Sequence, residues 1–133
     1  MPALLVRTPD TKATDVLVIE DDRDTREFVT VWLSSRGFST VSAENGQHAQ
    51  VLLLNGLVPR LILLDLMMPV MDGWTFASWQ RTEPRCAAIP IIVTSAIADR
   101  SGPLSVQPVA TMGKPVDLDM LGRMIARLVP RGC

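Results

Sequence analysis

The sequence predicts an α/β domain: one parallel sheet with helices on both faces. Three observations carry that expectation. Short apolar runs rich in β-branched residues recur along the chain; stretches with helical spacing of apolar residues separate them; and the runs end on polar or charged residues instead of leading into hairpin turns. Strands that alternate with helices need right-handed crossovers, which place every strand's carboxyl end on one side of the sheet.

Residues 1–14 hold two prolines and scattered polar residues without periodicity, and read as a flexible N-terminal arm. Val16-Leu-Val-Ile19 is the first strand, and it stops on Glu20, Asp21 and Asp22. From Asp24 to Arg36, Phe28, Val29, Trp32 and Leu33 fall at helical spacing after an acid-rich start, with Gly37 as the stop, so a helix packed on the sheet is expected. Phe38–Val41 is the second strand candidate. Asn45-Gly46 opens a second helix through Leu54, and Asn55-Gly56 closes it.

Leu61–Leu64 reads as a strand buried on both faces that delivers Asp65 to its carboxyl end before Pro69 and Gly73 break the regular structure. Trp74–Arg81 forms a third helix, and Ile89–Thr94 a fourth strand that finishes at Thr94-Ser95-Ala96. Between Ala98 and Pro108, Gly102, Pro103 and Pro108 sit where the alternation calls for a fourth helix, which is therefore expected to be short or irregular. Val109–Met112 supplies the last strand. After Gly113-Lys114-Pro115, the periodicity of Leu118, Leu121, Met124, Ile125 and Leu128 gives the closing helix, and residues 131–133 are expected to fray.

Composition narrows the function. At 133 residues the chain suits one domain, and 47% hydrophobic against 20% charged residues describes a packed core. A net charge of −1 without a basic run offers no footprint for nucleic acid or for an anionic membrane surface. Two cysteines make no disulfide framework, and no leader peptide or membrane span is apparent, so the expected compartment is the cytoplasm.

The strand ends thus carry Glu20, Asp21, Asp22, Asp65, Thr94, Ser95 and Lys114, which such a sheet can bring to one crevice. Clustered carboxylates repel one another and call for a hard divalent cation, of which magnesium takes one or two carboxylates together with phosphate oxygens. A lysine ammonium and a hydroxyl can meet phosphoryl oxygens, and a carboxylate can act as nucleophile. The inventory matches metal-assisted phosphoryl transfer to Asp65. Read one at a time, each residue also has an ordinary explanation: Glu20 and Asp21 as helix N-cap acids, Lys114 as a solvated loop lysine, Ser95 as a turn residue.

Val-Leu-Val-Ile-Glu-Asp-Asp (16–22), Leu-Ile-Leu-Leu-Asp-Leu-Met-Met-Pro-Val-Met-Asp-Gly (61–73), Ile-Pro-Ile-Ile-Val-Thr-Ser-Ala (89–96) and Lys114-Pro115 together resemble the receiver domain of response regulators in two-component signalling, over residues 15–130. The resemblance implies a flavodoxin-like (βα)5 fold with a doubly wound, five-stranded parallel sheet. It implies Asp65 as the phosphoacceptor for a histidine kinase or phosphotransfer protein, and Mg2+ held by Glu20, Asp21, Asp65 and the backbone carbonyl of Met67. It implies Ser95 as the switch hydroxyl, Lys114 as the phosphate-pairing lysine, Asp22 as an exposed helix-start acid, and a cis Lys114–Pro115 peptide. His48 reads as a surface residue, Asp72 as a helix-start acid, and Met67, Met68 and Met71 as core filler or loop.

Two departures stand out. The segment from Ser95 to Lys114 is short, and the position of the family's aromatic switch residue holds Thr111. The usual aromatic coupling is therefore absent, which points to a different output geometry. Apolar Met67 and Ile97 flank the expected phosphorylation site and predict a long-lived aspartyl phosphate. Two functions follow: a phosphorylatable receiver that signals by partner binding, or a non-switching interaction module that kept the pocket.

Overall fold

The computed structural model describes residues 12–95, 108 and 110–129. In chain order the elements are β1 (Lys12–Ile19), α1 (Arg23–Ser35), β2 (Thr40–Ala43), α2 (Gly46–Leu54), β3 (Leu57–Asp65), α3 (Gly73–Thr82), β4 (Ile91–Ser95), β5 (Ala110–Gly113) and α4 (Leu118–Leu128). The five strands form one sheet in the order β2-β1-β3-β4-β5, with every pairing parallel.

Alternate residues of the strands feed two cores. Val16, Val18, Leu61, Leu63 and Ile92 join Val29 and Leu33 of α1 and Leu121 and Ile125 of α4 on one face. Leu17, Ile19, Ile62, Leu64, Ile91 and Val93 join Ala49 and Leu53 of α2 and Phe76 and Ala77 of α3 on the other. A strand covered on both faces has no polar alternation, which is why Leu61–Leu64 is apolar throughout. The chain order reverses direction between β1 and β3. In such sheets ligands bind at that switch point, beyond the carboxyl ends of the strands.

The helices start as their sequences suggest. Asp22, Asn45, Asp72 and Asp117 each accept the backbone N–H three residues on, capping α1, α2, α3 and α4. Asp22 and Asp72 are thus the helix-start acids they were expected to be.

Several expectations are corrected. The second strand begins at Thr40, not Phe38. Phe38 instead ends α1: its N–H reaches Leu33 O at 3.1 Å and the Gly37 N–H reaches Ser34 O at 3.0 Å, with Gly37 at φ 90°, a Schellman closure that draws Phe38 into the core. Phe28 is 61% exposed, so of the four apolar positions on α1 only Val29 and Leu33 are buried, Trp32 packs at their edge, and Phe28 faces outward. β1 and β3 both start earlier than their apolar runs: Lys12, Ala13 and Thr14, inside the stretch read as an arm, pair with Leu57, Val58 and Pro59. Pro59 is accommodated because β4 joins β3 only from Ile62 onward, which leaves that part of β3 at an edge among the described residues. Among the described residues the last strand is Ala110–Gly113, running one residue past the expected end at Met112, while Val109 lies outside the described residues. The fourth-helix region, the N-terminal arm before Lys12 and the C-terminal residues 131–133 lie outside the described residues.

Candidate functional site: an acidic pocket at the strand ends

Asp65 is the last residue of β3 and is 2% exposed. Its Oδ1 accepts the Met67 N–H at 3.2 Å. Its Oδ2, although in ion-pair range of Lys114 Nζ at 3.3 Å, has no directed hydrogen-bond partner among the described residues. A buried carboxylate oxygen left in that state is costly unless something else occupies the pocket.

Glu20 follows β1, the neighbour of β3, and is 4% exposed. Its N–H reaches across to Ala43 O at 3.0 Å, its Oε2 accepts the Asp22 N–H at 3.1 Å, and its Oε1 pairs with Lys114 Nζ at 2.7 Å. Asp21 is exposed at the rim. Carboxylate oxygens of Glu20, Asp21 and Asp65 lie within 4.8 Å of one another. Sequence placed these acids 44 and 45 positions apart; parallel pairing of β1 with β3, Ile19 beside Leu64, brings them together.

Lys114 is delivered from the far side. It follows β5, and its N–H donates to Ser95 O at 2.9 Å, fastening it to the end of β4. The Lys114–Pro115 peptide is cis. Thr94 is the register partner of Asp65, and Ser95 is buried one step beyond it at the strand terminus.

The electrostatics follow from this geometry. Burial first, then the charge of Glu20, pushes the Asp65 carboxyl up to about 7, against the pull of Lys114. Burial opposes the charge on Lys114, but its bonds to Glu20 and the Asp65 charge carry its pKa above the ordinary lysine value. Hydrogen bonds from Thr25 hold the exposed Asp22 below the usual carboxylate range. One lysine thus faces two buried acids and a third at the rim. The donor set and the unsatisfied Asp65 Oδ2 fit a hard, oxygen-seeking divalent cation.

None of Thr111, His48 or the methionine side chains was expected to supply a charge to the pocket. Thr111 is exposed on β5, opposite Val93 and away from the acids along the strand. His48 is exposed on α2 and accepts the Glu44 N–H through Nδ1 at 3.3 Å. Met68 is buried and Met71 packs on the core, whereas Met67 is 54% exposed. Trp74 and Trp79 are both half-buried against the α2/α3 core. Ile97 lies outside the described residues.

Two residues escaped the sequence reading. Gly73 was taken as a turn-former, yet its role is close approach: its N–H donates to Leu66 O at 2.9 Å, and a Cβ there would stand 2.6 Å from Asp65 O and 2.7 Å from Leu66 Cα. Arg26, on the first turn of α1, sends Nη1 back to Glu20 O at 2.8 Å. Its spacing from the acids was the available signal, but an arginine on a helix has too many ordinary uses for spacing alone to single it out.

Among the described residues no helix is long and apolar enough to cross a membrane. The family described as "Response regulator receiver domain" matches residues 16–126. An uncharacterised 14.6 kDa protein of Leptolyngbya boryana is 34% identical over 114 residues, covering 84% of this chain and 86% of that protein. Among solved structures, a response regulator receiver protein from Pseudomonas putida superposes with a TM-score of 0.79 at 30% identity, covering 88% of this chain and 98% of the other. The response regulator TrrA of Thermotoga maritima, in complex with Mg2+-BeF, superposes with a TM-score of 0.76 at 27% identity, covering 87% and 99%. The chain spans about a third of the length of the transcriptional regulators it matches in Synechocystis and Pseudomonas aeruginosa, 34% and 35% respectively. With the doubly wound five-stranded sheet and the acidic pocket at its switch point, these likenesses place the chain in the response-regulator receiver-domain family of two-component signalling.

Proposed function

We propose that Asp65 is the phosphoacceptor of this receiver, taking a phosphoryl group from a histidine kinase or phosphotransfer protein and signalling through phosphorylation-dependent binding of a partner. Receiver domains bind Mg2+ at an acidic pocket and interact with kinases or phosphotransfer proteins. The observation that carries the reading to this residue is the buried Asp65 carboxylate, whose Oδ2 has no hydrogen-bond partner among the described residues, with Glu20, Asp21 and Lys114 gathered around it.

In the proposed reaction an Asp65 oxygen forms a bond to phosphorus as the bond from phosphorus to the donor imidazole nitrogen breaks, its electron pair staying on that nitrogen. Glu20, Asp21, Asp65 and the Met67 carbonyl would hold Mg2+, which supplies charge neutralisation for the phosphoryl oxygens. Lys114, fixed by its backbone bond to Ser95 O, contributes a second positive charge to those oxygens. Ser95, at the end of β4, supplies a hydroxyl donor to another. The same groups assist loss of the phosphate to water, and no external substrate is turned over. Neutralisation by the cation also favours the ionised, nucleophilic form of an Asp65 whose own pocket drives it toward protonation.

Wild type and Asp65→Asn, incubated with Mg2+ and a small phosphoramidate donor, provide the test. A phosphate-sized mass gain in wild type alone, accompanied by a tryptophan fluorescence change, is the expected result. A mass gain that persists in Asp65→Asn, or none in wild type, overturns the assignment. Exposed Thr111 at the expected aromatic position favours one further reading, a module without the switch; modification that leaves partner affinity unchanged would select it.

A further inference from the structure

We infer that Arg26 is a positioning residue for the cation pocket, clamping the backbone of Glu20 and Asp21 so that their carboxylates stay converged on Asp65. The inference rests on the proposed role of that pocket. Arg26 Nη1 donates to Glu20 O at 2.8 Å and lies 3.4 Å from Asp21 O, the carbonyls of the two acids that precede α1. Among the described residues its guanidinium forms no ion pair with a carboxylate.

That choice of partner matters chemically. An arginine bonded to the acids' carboxylates would compete with a cation for the same oxygens. Bonded to their carbonyls, it leaves those oxygens available and orients the peptide planes from which the side chains spring. Other bonds complete the clamp. The Glu20 N–H is held by Ala43 O at 3.0 Å, the Asp22 N–H by Glu20 Oε2 at 3.1 Å, and Asp22 O accepts the Arg26 N–H at 2.9 Å in the first turn of α1. Glu20 is therefore tied to β2 through its N–H and to α1 through its carbonyl, which makes the helix a brace for the loop. The brace is needed because three carboxylates within 4.8 Å repel one another and would otherwise spread the loop.

Electrostatics and positioning predict opposite signs. If Arg26 acted on the pocket only as a nearby positive charge, its removal would tighten divalent-cation binding. If it positions the acids, removal weakens binding by about 10-fold or more, the scale seen when groups that orient metal ligands are lost. The experiment titrates Mg2+ calorimetrically into wild type, Arg26→Ala, Arg26→Lys and the control Glu20→Gln, with circular dichroism to establish folding and Arg26→Gln as the substitute should Arg26→Ala not fold. The expected result is strong weakening in Arg26→Ala and partial recovery in Arg26→Lys, which keeps the charge but lacks the fork. Unchanged or tighter binding in folded Arg26→Ala or Arg26→Gln overturns the inference while leaving the pocket assignment intact. Wild-type binding that Glu20→Gln does not alter, or no binding at all, removes the pocket assignment and the inference with it.

Discussion

Asp65→Asn should make the metal-free protein more stable, and the gain should depend on pH. Asp65 is 2% exposed, its Oδ2 lacks a hydrogen bond among the described residues, and the carboxyl is pushed from 3.8 up to about 7 by burial and by Glu20. Because its folded pKa lies above its unfolded one, the folded state binds the extra proton between those values. Stability therefore falls as pH rises from about 4 through about 7, and the full penalty applies above that. At about 1.4 kcal/mol per unit the upward shift is worth roughly 4 kcal/mol at most, a figure already net of the Lys114 attraction. Partial rearrangement of the pocket around asparagine leaves a gain of about 2–4 kcal/mol, or roughly 5–15 °C in Tm for a domain of this size.

Thermal unfolding in chelator at about pH 8 and again at about pH 5 measures both the size and the sign: a large gap between variant and wild type at the higher pH, a small one at the lower. Saturating Mg2+ should narrow the gap at high pH, since a ligand present at about 100 times its Kd stabilises the form that binds it by roughly 2.7 kcal/mol. A variant no more stable than wild type at the higher pH, or a gap that does not change with pH, would refute the argument that the pocket strains its own carboxylate.

Gly73→Ala should cost about 1–3 kcal/mol by urea unfolding, because the new Cβ meets Asp65 O and Leu66 Cα, which are backbone atoms that cannot rotate away, and the same displacement should weaken Mg2+ binding in a titration. Gln80→Leu should cost about 2–4 kcal/mol, since buried Gln80 Nε2 donates to Cys86 O at 2.6 Å and Ile89 O at 3.1 Å, and an apolar replacement leaves both carbonyls without that donor. Hydrogen exchange should then show earlier opening around residues 86–89, while Mg2+ affinity stays at the wild-type value, because Gln80 stands apart from the acidic pocket.

Much of this protein was legible from local pattern alone. An apolar run buried on both faces, a cap residue before a helix and a glycine after it each express physics that acts within a few residues, so the order of the described elements, the caps of the first three helices and the polar strand ends were readable. The pocket's charged residues stood out for the same reason: Asp65 ends a core strand, and Glu20, Asp21 and Lys114 come just after one.

What the pattern did not determine was set by contacts between distant segments. β1 extends back to Lys12 because β3 offers a partner there, although Lys12-Ala13-Thr14 is not strongly apolar, and Phe38 left the strand because α1 needed its N–H to close. Phe28 had helical spacing, but a helix buries only the stripe that meets the sheet, and that stripe is centred on Val29 and Leu33. The pocket shows the same division. Sequence named its acids, but only the parallel register of β1 and β3 brings their oxygens within 4.8 Å of one another. The raised pKa of Asp65, the closeness of Gly73 to its carbonyl and the hold of Arg26 on the acid loop are properties of three-dimensional proximity. No spacing along a chain encodes them, because burial and distance exist only once the sheet has formed.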